Sequence, residues 1–214
     1  MEGRSDAVTW RFAQGPRDTP TNAGGVLGTG FLFRTADRVR VQDYWRTVNV
    51  EQGGHFDATI PQIASLLDAL ASYVNLAIPK PIPPTTDPTL VAKGATVFQN
   101  AGCGSCHSGP RFTDSGYGNP TLDLAASVVL HDVGTCVAGG TFPDIAHTDI
   151  DGDPRAACMF DTPSLTGIAS TPPYLHDGRA ATLADVAKVM VTNTGHGTLA
   201  SEDLDALVEY LRSL

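Results

Sequence analysis

The chain has 214 residues, of which 42% are hydrophobic and 17% are charged, a composition typical of one large or two small globular domains. Fourteen Lys and Arg residues against 23 Asp and Glu residues give a net charge of -9, which argues against a broad basic surface for nucleic acid or anionic lipid. No apolar run reaches the roughly 18 residues that span a bilayer, and the N-terminus MEGRSDAVTW lacks the apolar core of a secretory signal.

The first predicted helix runs from Thr59 to Leu76. Thr59 and Gln62 have the spacing of a capping box, which predicts the start of this helix. Its apolar residues recur at helical spacing: Ile60, Ile63, Leu66, Leu67, Leu70, Tyr73 and Val74. The proline-rich stretch that follows predicts a stiff linker over 79–86, between a first unit (1–78) and a second unit (87–214).

The second unit contains three further predicted helices. Asp87 followed by Pro88 predicts an N-cap and a proline at the first helical position. A shorter helix begins at Thr182 and reaches about Val191, and a final helix carries Glu202 and its acidic neighbour in the first turn. Strand alternation is weak everywhere, so the predicted class is mainly α.

Two stretches of the chain, 17–38 and 160–181, align with each other without a gap. The pairs are Asp18-Thr19-Pro20 with Asp161-Thr162-Pro163, Phe31-Leu32 with Tyr174-Leu175, and Phe33 with His176. Both stretches continue to a Gly-His pair and an amphipathic helix. This order predicts an internal duplication whose first copy has no cysteine.

The segment 101–114, AGCGSCHSGPRFTD, contains a Cys-x-x-Cys-His motif that allows three chemistries. A redox dithiol requires a strand before it and a helix after it, but a helix precedes this motif and a Gly-Pro loop follows. A structural zinc site requires a second ligand pair at short spacing, and neither Cys136 nor Cys158 has a partner beside it. Two thiols for the vinyl groups and an adjacent histidine for the iron favour covalent haem c.

Several motifs of the second unit occur in the order found in one known family. They are CGSCH, GPRFTD, DVGT, FDTPSLTGI, PPYLHDGRAATL and the closing amphipathic helix. Residues 87–214 thereby resemble the C-terminal haem domain of bacterial di-haem cytochrome c peroxidases, a family that includes the methylamine-dehydrogenase maturation enzyme. The resemblance implies a class I cytochrome c-like helical domain with long loops, preceded in 1–78 by a degenerate remnant of the family's N-terminal haem domain.

The iron ligands follow from the motif and from the resemblance. His107 takes the proximal position, and its second ring nitrogen requires an acceptor, which we expect in the loop near Pro110. The position of Met190 is similar to that of the family's axial methionine, so it is the expected distal ligand, with His196 as the alternative. Met159 lies beside a cysteine and is predicted to serve packing.

Other histidines are expected around the site or away from it. Tyr174 and His176 of the PYLHDG segment are predicted to surround the ligands, with Asp177 or Arg179 as the hydrogen-bond partner of His176. Two further histidines lie in predicted loops and are expected to be solvent-exposed or capping: His131 and His147.

The long loop region 109–161 raises two more predictions. Cys136 and Cys158 form an even pair, for which we expect a disulfide closing a loop of about 23 residues, the alternative being two buried free thiols. Asp149, Asp151 and Asp153 alternate as in a calcium loop but fail the EF-hand pattern at its glycine and its final carboxylate. Calcium nevertheless stays an expectation, because the resembled family binds it between its haem domains.

The sequence predicts a periplasmic or extracellular module that relays single electrons through one haem c. The alternatives are an enzyme, either a peroxidase or a related haem oxidase that needs a second haem, and a structural domain with a vestigial haem. The expected electron partner is a small redox protein or a second haem domain, and the chain is a candidate homo-oligomer. Neither nucleic acid nor a membrane span is expected.

Overall fold

The structure is a computed structural model that describes residues 5–29, 32–115, 129–149 and 151–214. Its larger elements are helices, which confirms the predicted mainly α class. The α-helices are α1 Tyr44–Glu51, α2 Pro61–Ser72, α3 Pro88–Asn100, α4 Leu183–Asn193 and α5 Ser201–Arg212. A π-helical segment, Tyr73–Ala77, extends α2, and short 3-10 helices lie at Val41–Asp43, Cys103–Ser105 and Ile168–Ser170. Within these ranges no helix is long and apolar enough to cross a membrane.

The strands are short and pair only locally. β1 Thr9–Phe12 and β2 Gly15–Asp18 form an antiparallel hairpin that the sequence did not predict. The loop region contains two-residue strands that pair antiparallel: β3 Leu130–His131 with β6 Phe160–Asp161, and β4 His147–Thr148 with β5 Pro154–Arg155. The described part of the predicted loop region is therefore irregular apart from these short pairs.

The helix predicted over 59–76 begins later in the structure. α2 starts at Pro61, whose fixed φ and missing N–H suit the first helical position, and Ile60 is its N-cap. The capping box predicted at Thr59 is wrong, because the Thr59 hydroxyl donates to Asp57 Oδ1 at 2.6 Å.

The predicted N-termini of α3 and α4 are confirmed. The Asp87 carboxylate accepts from the backbone N–H groups of Thr89 and Leu90, at 2.7 and 3.3 Å. At α4 the side chains of Thr182 and Asp185 each accept from the other's backbone N–H, both at 3.1 Å. Both helices therefore begin where their side chains satisfy orphan donors.

α3 and α5 pack against each other and form the frame of the second unit. At their crossing a Cβ on Gly94 would lie 2.0 Å from the Ala206 carbonyl oxygen, so only glycine allows this approach. Next to the crossing, the rings of Phe98 and Tyr210 meet edge to face with centroids 5.3 Å apart.

Two hydrophobic clusters of buried residues lie in the two halves of the chain. The first-half cluster is Val26, Leu32, Val41, Ala71, Val74 and Ile78. The second-half cluster is Phe98, Ala101, Leu165, Tyr174, Ala180, Leu183, Ala187, Val191, Leu207 and Leu211. Each half thus brings its own apolar residues together.

The two halves of the chain contain similar backbone contacts. In each half an antiparallel bridge closes a tight loop, Leu32 with Arg38 in the first and Tyr174 with Ala180 in the second. Phe31, which the sequence alignment pairs with Tyr174, lies outside the described residues. The matched bridges instead make Leu32 the counterpart of Tyr174.

The two repeats also bond to each other reciprocally. The Asp18 N–H donates to the His176 carbonyl at 2.6 Å, and the Asp161 N–H donates to the Arg34 carbonyl at 2.8 Å. These contacts require a one-residue shift that the ungapped alignment missed. Arg34, and not Phe33, therefore occupies the position of His176 in the first half.

Candidate functional site

The Cys-x-x-Cys-His motif lies in a tight turn that follows α3. Gly102, with φ of 68°, adopts the left-handed conformation that glycine favours and leads into the 3-10 turn. The His107 N–H donates to the Cys103 carbonyl at 2.9 Å, which folds the motif onto one side. Cys103 and Cys106 are free thiols, both half-buried, and burial raises the pKa of Cys103.

His107 has a fixed orientation. Its Nδ1 lies 3.0 Å from the Phe112 carbonyl oxygen, so this nitrogen donates and Nε2 remains available to a metal. Burial lowers the pKa of His107, opposed by the backbone oxygens of Phe112 and Pro163, so the neutral form that binds metals is favoured. The acceptor lies two residues beyond Pro110, which is itself exposed.

The two candidate distal ligands lie in different surroundings. Met190, near the end of α4, is half-buried and lines the same cavity as the two thiols and His107. His196 is exposed, and its Nε2 would lie 2.7 Å from a Cβ on Gly102, so the ring covers the outside of the motif turn. Of the two, Met190 is therefore the one that shares a cavity with His107.

A cavity of about 270 Å³ connects these groups. Its walls come from both halves of the chain, including Leu32, Phe33 and Tyr44 from the first half and Cys103, Cys106, His107, Tyr174, Met190 and Leu207 from the second. The hydroxyl of Tyr174 donates to the Ile168 carbonyl at 3.1 Å. The cavity is thus lined largely by apolar side chains, and two thiols, three imidazoles and a thioether also border it.

Polar atoms without a partner also border this cavity. Within the described residues, the cavity-lining side chains with a buried polar atom that lacks a hydrogen-bond partner are Asp18 (Oδ1), Arg34 (Nε), Arg111 (Nε), Asp161 (Oδ1) and His176 (Nδ1). Haem c combines an apolar ring, two attachment points, two axial positions on the iron and two carboxylates. The donor set and the unpaired Nε of Arg111 fit such a group.

The comparison with known families decides the class of protein. Residues 91–214, more than half of the chain, match the cytochrome c family model. The chain belongs to the cytochrome c family. The Cys-x-x-Cys-His motif, α4 and α5 lie within the matched residues, and covalent haem c is the cofactor of the family.

Relatives of this cytochrome confirm the predicted resemblance to bacterial cytochrome c peroxidases. Cytochrome-c peroxidase IdrP1 of Denitromonas iodatirespirans is 35% identical over 121 residues, covering 50% of this chain and 32% of the relative. Cytochrome c551 peroxidase of Nitrosomonas europaea is 27% identical over 122 residues, covering 57% and 33% respectively. The cytochrome thus spans about a third of the length of these curated relatives.

Solved structures share its fold. A MauG-like protein associated with microbial copper homeostasis superposes with a TM-score of 0.60 at 18% identity, covering 92% of this chain and 73% of the other. Hydrazine synthase of Kuenenia stuttgartiensis superposes with a TM-score of 0.66 at 22% identity, covering 100% and 78%. The predicted cytochrome c-like fold is therefore confirmed.

His176 of the cytochrome has a different partner from those predicted. Its ring stacks on Phe160, with centroids 4.0 Å apart, and its Nε2 lies 3.0 Å from Asp144 Oδ2. Asp177 and Arg179, the predicted partners, pair with each other at 2.6 Å. Burial lowers the pKa of His176 against the opposing effect of Asp144, which lies far away in the sequence and had no local signal.

The two loop histidines are less exposed than predicted. His131 is half-buried, its Nε2 lies 2.6 Å from Asp114 Oδ2, and its Nδ1 lies 3.9 Å from Cys106 Sγ. His147 is half-buried as well and pairs with Asp37 at 3.0 Å. Neither is solvent-exposed, and the first of them lines the haem cavity.

The predicted disulfide is confirmed. Cys136 and Cys158 are bonded, with Cα atoms 4.9 Å apart, inside the range that disulfides require. The bond joins the loop that follows β3 to the residues just before β6, so it braces the loop beside the cavity.

The acidic loop predicted as a calcium candidate connects β4 to β5. The Asp149 carboxylate pairs with Arg155 at 2.6 Å and also accepts from the Asp153 N–H, while Asp151 pairs with Arg46 at 2.6 Å. Within the described part of the chain, this loop contributes no cluster of three metal-ligating atoms. The alternating aspartates of this loop make ion pairs and hydrogen bonds within the structure, and a calcium site stays a prediction.

Proposed function

We propose that this cytochrome binds one covalent haem c and transfers single electrons. The observation that supports this best is the convergence of Cys103, Cys106, His107 and Met190 on one cavity. In this proposal the two thiols attach the ring, and the imidazole and thioether bind the iron. The bound haem supplies the one-electron chemistry.

The protein's own residues would set the properties of the site. The Phe112 carbonyl holds His107 in the orientation that directs Nε2 into the cavity. His107 and Met190 would hold the iron, and His/Met ligation would raise the reduction potential, which suits electron transfer better than reaction with peroxide.

Haem content and ligand identity are separately measurable. We expect one haem per chain by the pyridine haemochrome assay and, in the oxidised protein, a sulfur-to-iron charge-transfer band near the red end of the spectrum. Met190→Ala removes that band, whereas Met159→Ala, a half-buried methionine outside the cavity lining, retains it. Loss of low-spin ligation in His196→Ala instead would assign the distal position to His196.

Peroxide reduction is a second candidate function. It is favoured by the relatives named cytochrome c peroxidases, of which this chain covers about a third. Peroxide consumption with a reduced cytochrome as electron donor tests it. A rate no higher than that of free haem supports the relay alone, and a faster rate that survives Met190→Ala supports the enzyme.

A comparison of side-chain exposure on α2 and α5 supports the proposal that a second haem domain is the electron partner. When the first residues of these helices are aligned, their inner faces match: Leu67 is 9% exposed and its counterpart Leu207 is 2% exposed. Their outer faces differ, since Leu66 is 66% exposed whereas its counterpart Ala206, covered by α3, is 0% exposed. We therefore propose that residues 1–78 are the remnant of a cytochrome-like domain, joined by the linker 79–86 to the haem domain 87–214.

The uncovered side of α2 and its extension forms an apolar stripe. We name the α2 stripe from its members, which are 42 to 70% exposed: Leu66, Leu70, Tyr73 and Leu76. Because α3 covers the matching face of α5, we expect the stripe to bind a helix of the α3 type from a second haem domain. The probe is a labelled peptide of residues 86–100, titrated against the full chain by fluorescence anisotropy.

Binding of this peptide should be lost in Leu70→Glu and retained in Ile82→Glu, a 93% exposed residue outside the α2 stripe. A dimer in light scattering that Leu70→Glu dissolves would assign the stripe to a second copy of the chain instead. Absence of peptide binding in a monomeric protein would refute the helix partner.

Location outside the cytoplasm is part of the proposal. A disulfide persists in oxidising compartments and covalent haem c is attached there, and the bonded Cys136 and Cys158 support this location. Thiol labelling of the protein in intact cells should find both cysteines oxidised. Free thiols in the native protein would contradict it.

A further inference from the structure

Two buried carboxyl groups and one half-buried guanidinium form a cluster between the two aligned stretches. Asp18 and Asp161 occupy equivalent positions in the duplication, and Arg34 lies between them, in the place that His176 has in the second half. The Arg34 guanidinium lies 3.3 Å from Asp18 Oδ2 and interacts electrostatically with Asp161. We call these three residues the Asp-Arg-Asp cluster, and all of them line the cavity that holds the Cys-x-x-Cys-His motif.

The cluster has more acid than base. Two carboxyl groups share one guanidinium, and the Oδ1 atom of each is buried without a partner among the described residues. A buried carboxylate without a compensating positive charge is costly in free energy. The second carboxyl group is therefore more stable in its protonated, neutral form.

The neighbouring charges do not remove this excess. Arg17 is committed to Asp144 at 2.5 Å, and Asp114 is committed to His131 at 2.6 Å. Asp6 adds a further negative charge near Asp18. The neutral hydrogen bonds to Asp161 among the described residues come from the Ser115 hydroxyl and the Thr162 backbone, and neither supplies a compensating charge.

The two carboxyl groups consequently bind protons more tightly than usual. Burial, opposed by Arg34, raises the pKa of Asp18 to about 6. Burial, with a further contribution from Asp114, raises the pKa of Asp161 to about 7. Both carboxyl groups interact with the same guanidinium, that of Arg34.

We propose that the Asp-Arg-Asp cluster takes up one proton from solvent when the cytochrome accepts one electron, so that electron and proton transfer are coupled. This inference rests on the proposed function. A one-electron donor protein is oxidised, the haem is reduced, and the proton binds a carboxylate oxygen of Asp18 or Asp161. No bond to carbon is formed or broken, and the proton returns to water when the electron leaves.

The direction of the coupling follows from charge. An electron adds one negative charge to a cavity that the cluster borders, and a proton on the cluster compensates it at low dielectric. The protonated cluster therefore favours the reduced protein, and the reduction potential falls as the pH rises through the range from about 6 to about 7.

Spectroelectrochemical titration of the haem-loaded full chain between pH 5 and pH 9 tests this. In the wild type, the ratio of reduced to oxidised protein at fixed applied potential should fall by up to tenfold per pH unit around neutrality, as one proton per electron requires. In Asp161→Asn and in Asp18→Asn the remaining carboxylate is neutralised by Arg34, so the ratio should become nearly pH-independent. Asp205→Asn, an exposed carboxyl group on α5, serves as the matched control and should behave as the wild type.

The outcomes separate the inference from the proposed function. A potential that is independent of pH in the haem-loaded wild type overturns the coupling and leaves the relay intact. A pH dependence that persists unchanged in both Asn variants assigns it to the haem carboxylates and also overturns the inference. Absence of haem in the purified protein overturns the relay and the coupling together.

Discussion

The close approach of α3 to α5 predicts that Gly94→Ala lowers the free energy of unfolding, although helix propensity alone predicts an increase. In an isolated helix, Gly→Ala stabilises by about 1 kcal/mol because alanine loses less backbone entropy. At Gly94 the new Cβ would lie 2.0 Å from the Ala206 carbonyl oxygen and 2.7 Å from the Cβ of Tyr210. Since the opposing atoms belong to a packed helix backbone, α3 and α5 must separate to accept the methyl group.

Overpacking of this kind costs about 1 to 3 kcal/mol, and contact with backbone atoms places Gly94→Ala at the upper end of that range. After the gain in propensity is subtracted, we expect the free energy of unfolding to fall by about 2 kcal/mol. Urea unfolding followed by far-UV circular dichroism measures this change, with an unaltered m-value as the check on two-state behaviour.

The reverse substitution two residues earlier is the control. Ala92 is exposed on the same helix, so Ala92→Gly should cost about 1 kcal/mol through propensity alone. Gly94→Ala and Ala92→Gly are reverse substitutions on the same helix, and both are expected to lower the free energy of unfolding. If Gly94→Ala proved as stable as the wild type or more stable, the close approach of α3 to α5 would be refuted.

Three further perturbations follow from the structure. Replacing Cys136 and Cys158 together by serine opens a loop with a sequence separation of 22 and should lower the free energy of unfolding by about 3 kcal/mol, measured in urea; an unchanged midpoint would contradict the bond. Because burial raises the pKa of Asp161 to about 7, the folded state binds a proton that the unfolded state has lost, so this residue's contribution to stability is full below about pH 4 and lost as the pH rises through about 7. Urea midpoints at pH 5 and pH 8 should differ less in Asp161→Asn than in the wild type, and an equal difference would contradict the raised pKa. Gly102→Ala combines a φ of 68° with a 2.7 Å approach to His196 Nε2 and should reduce the haem content of purified protein, whereas His196→Ala in the same background should partly restore it.

Local signals in the sequence predicted the features that depend on neighbouring residues. Asp87 and Thr182 mark helix starts because capping uses groups three residues apart, and both caps are present. The capping box predicted at Thr59 is wrong, because the helix begins at Pro61, a residue that suits the first helical position. The hairpin of β1 and β2 had no strong alternation and so was missed.

Contacts between distant segments were beyond sequence reasoning. The sequence places Asp177 and Arg179 beside His176, but the side chain that pairs with His176 is Asp144, from another loop. The one-residue shift of the repeat, which replaces Phe33 by Arg34 opposite His176, shows only in the reciprocal backbone bonds.

The sequence by itself determined the chemistry of this cytochrome, because haem attachment requires two thiols and a histidine within five consecutive residues, Cys103 to His107, and the chain provides that spacing. Tertiary structure alone decided the surroundings of that motif. Met190 lines the same cavity as the motif whereas His196 is exposed, and Asp18, Arg34 and Asp161 meet in one cluster that lines this cavity. Burial and net charge are properties of that assembly, so no stretch of residues could reveal them in isolation.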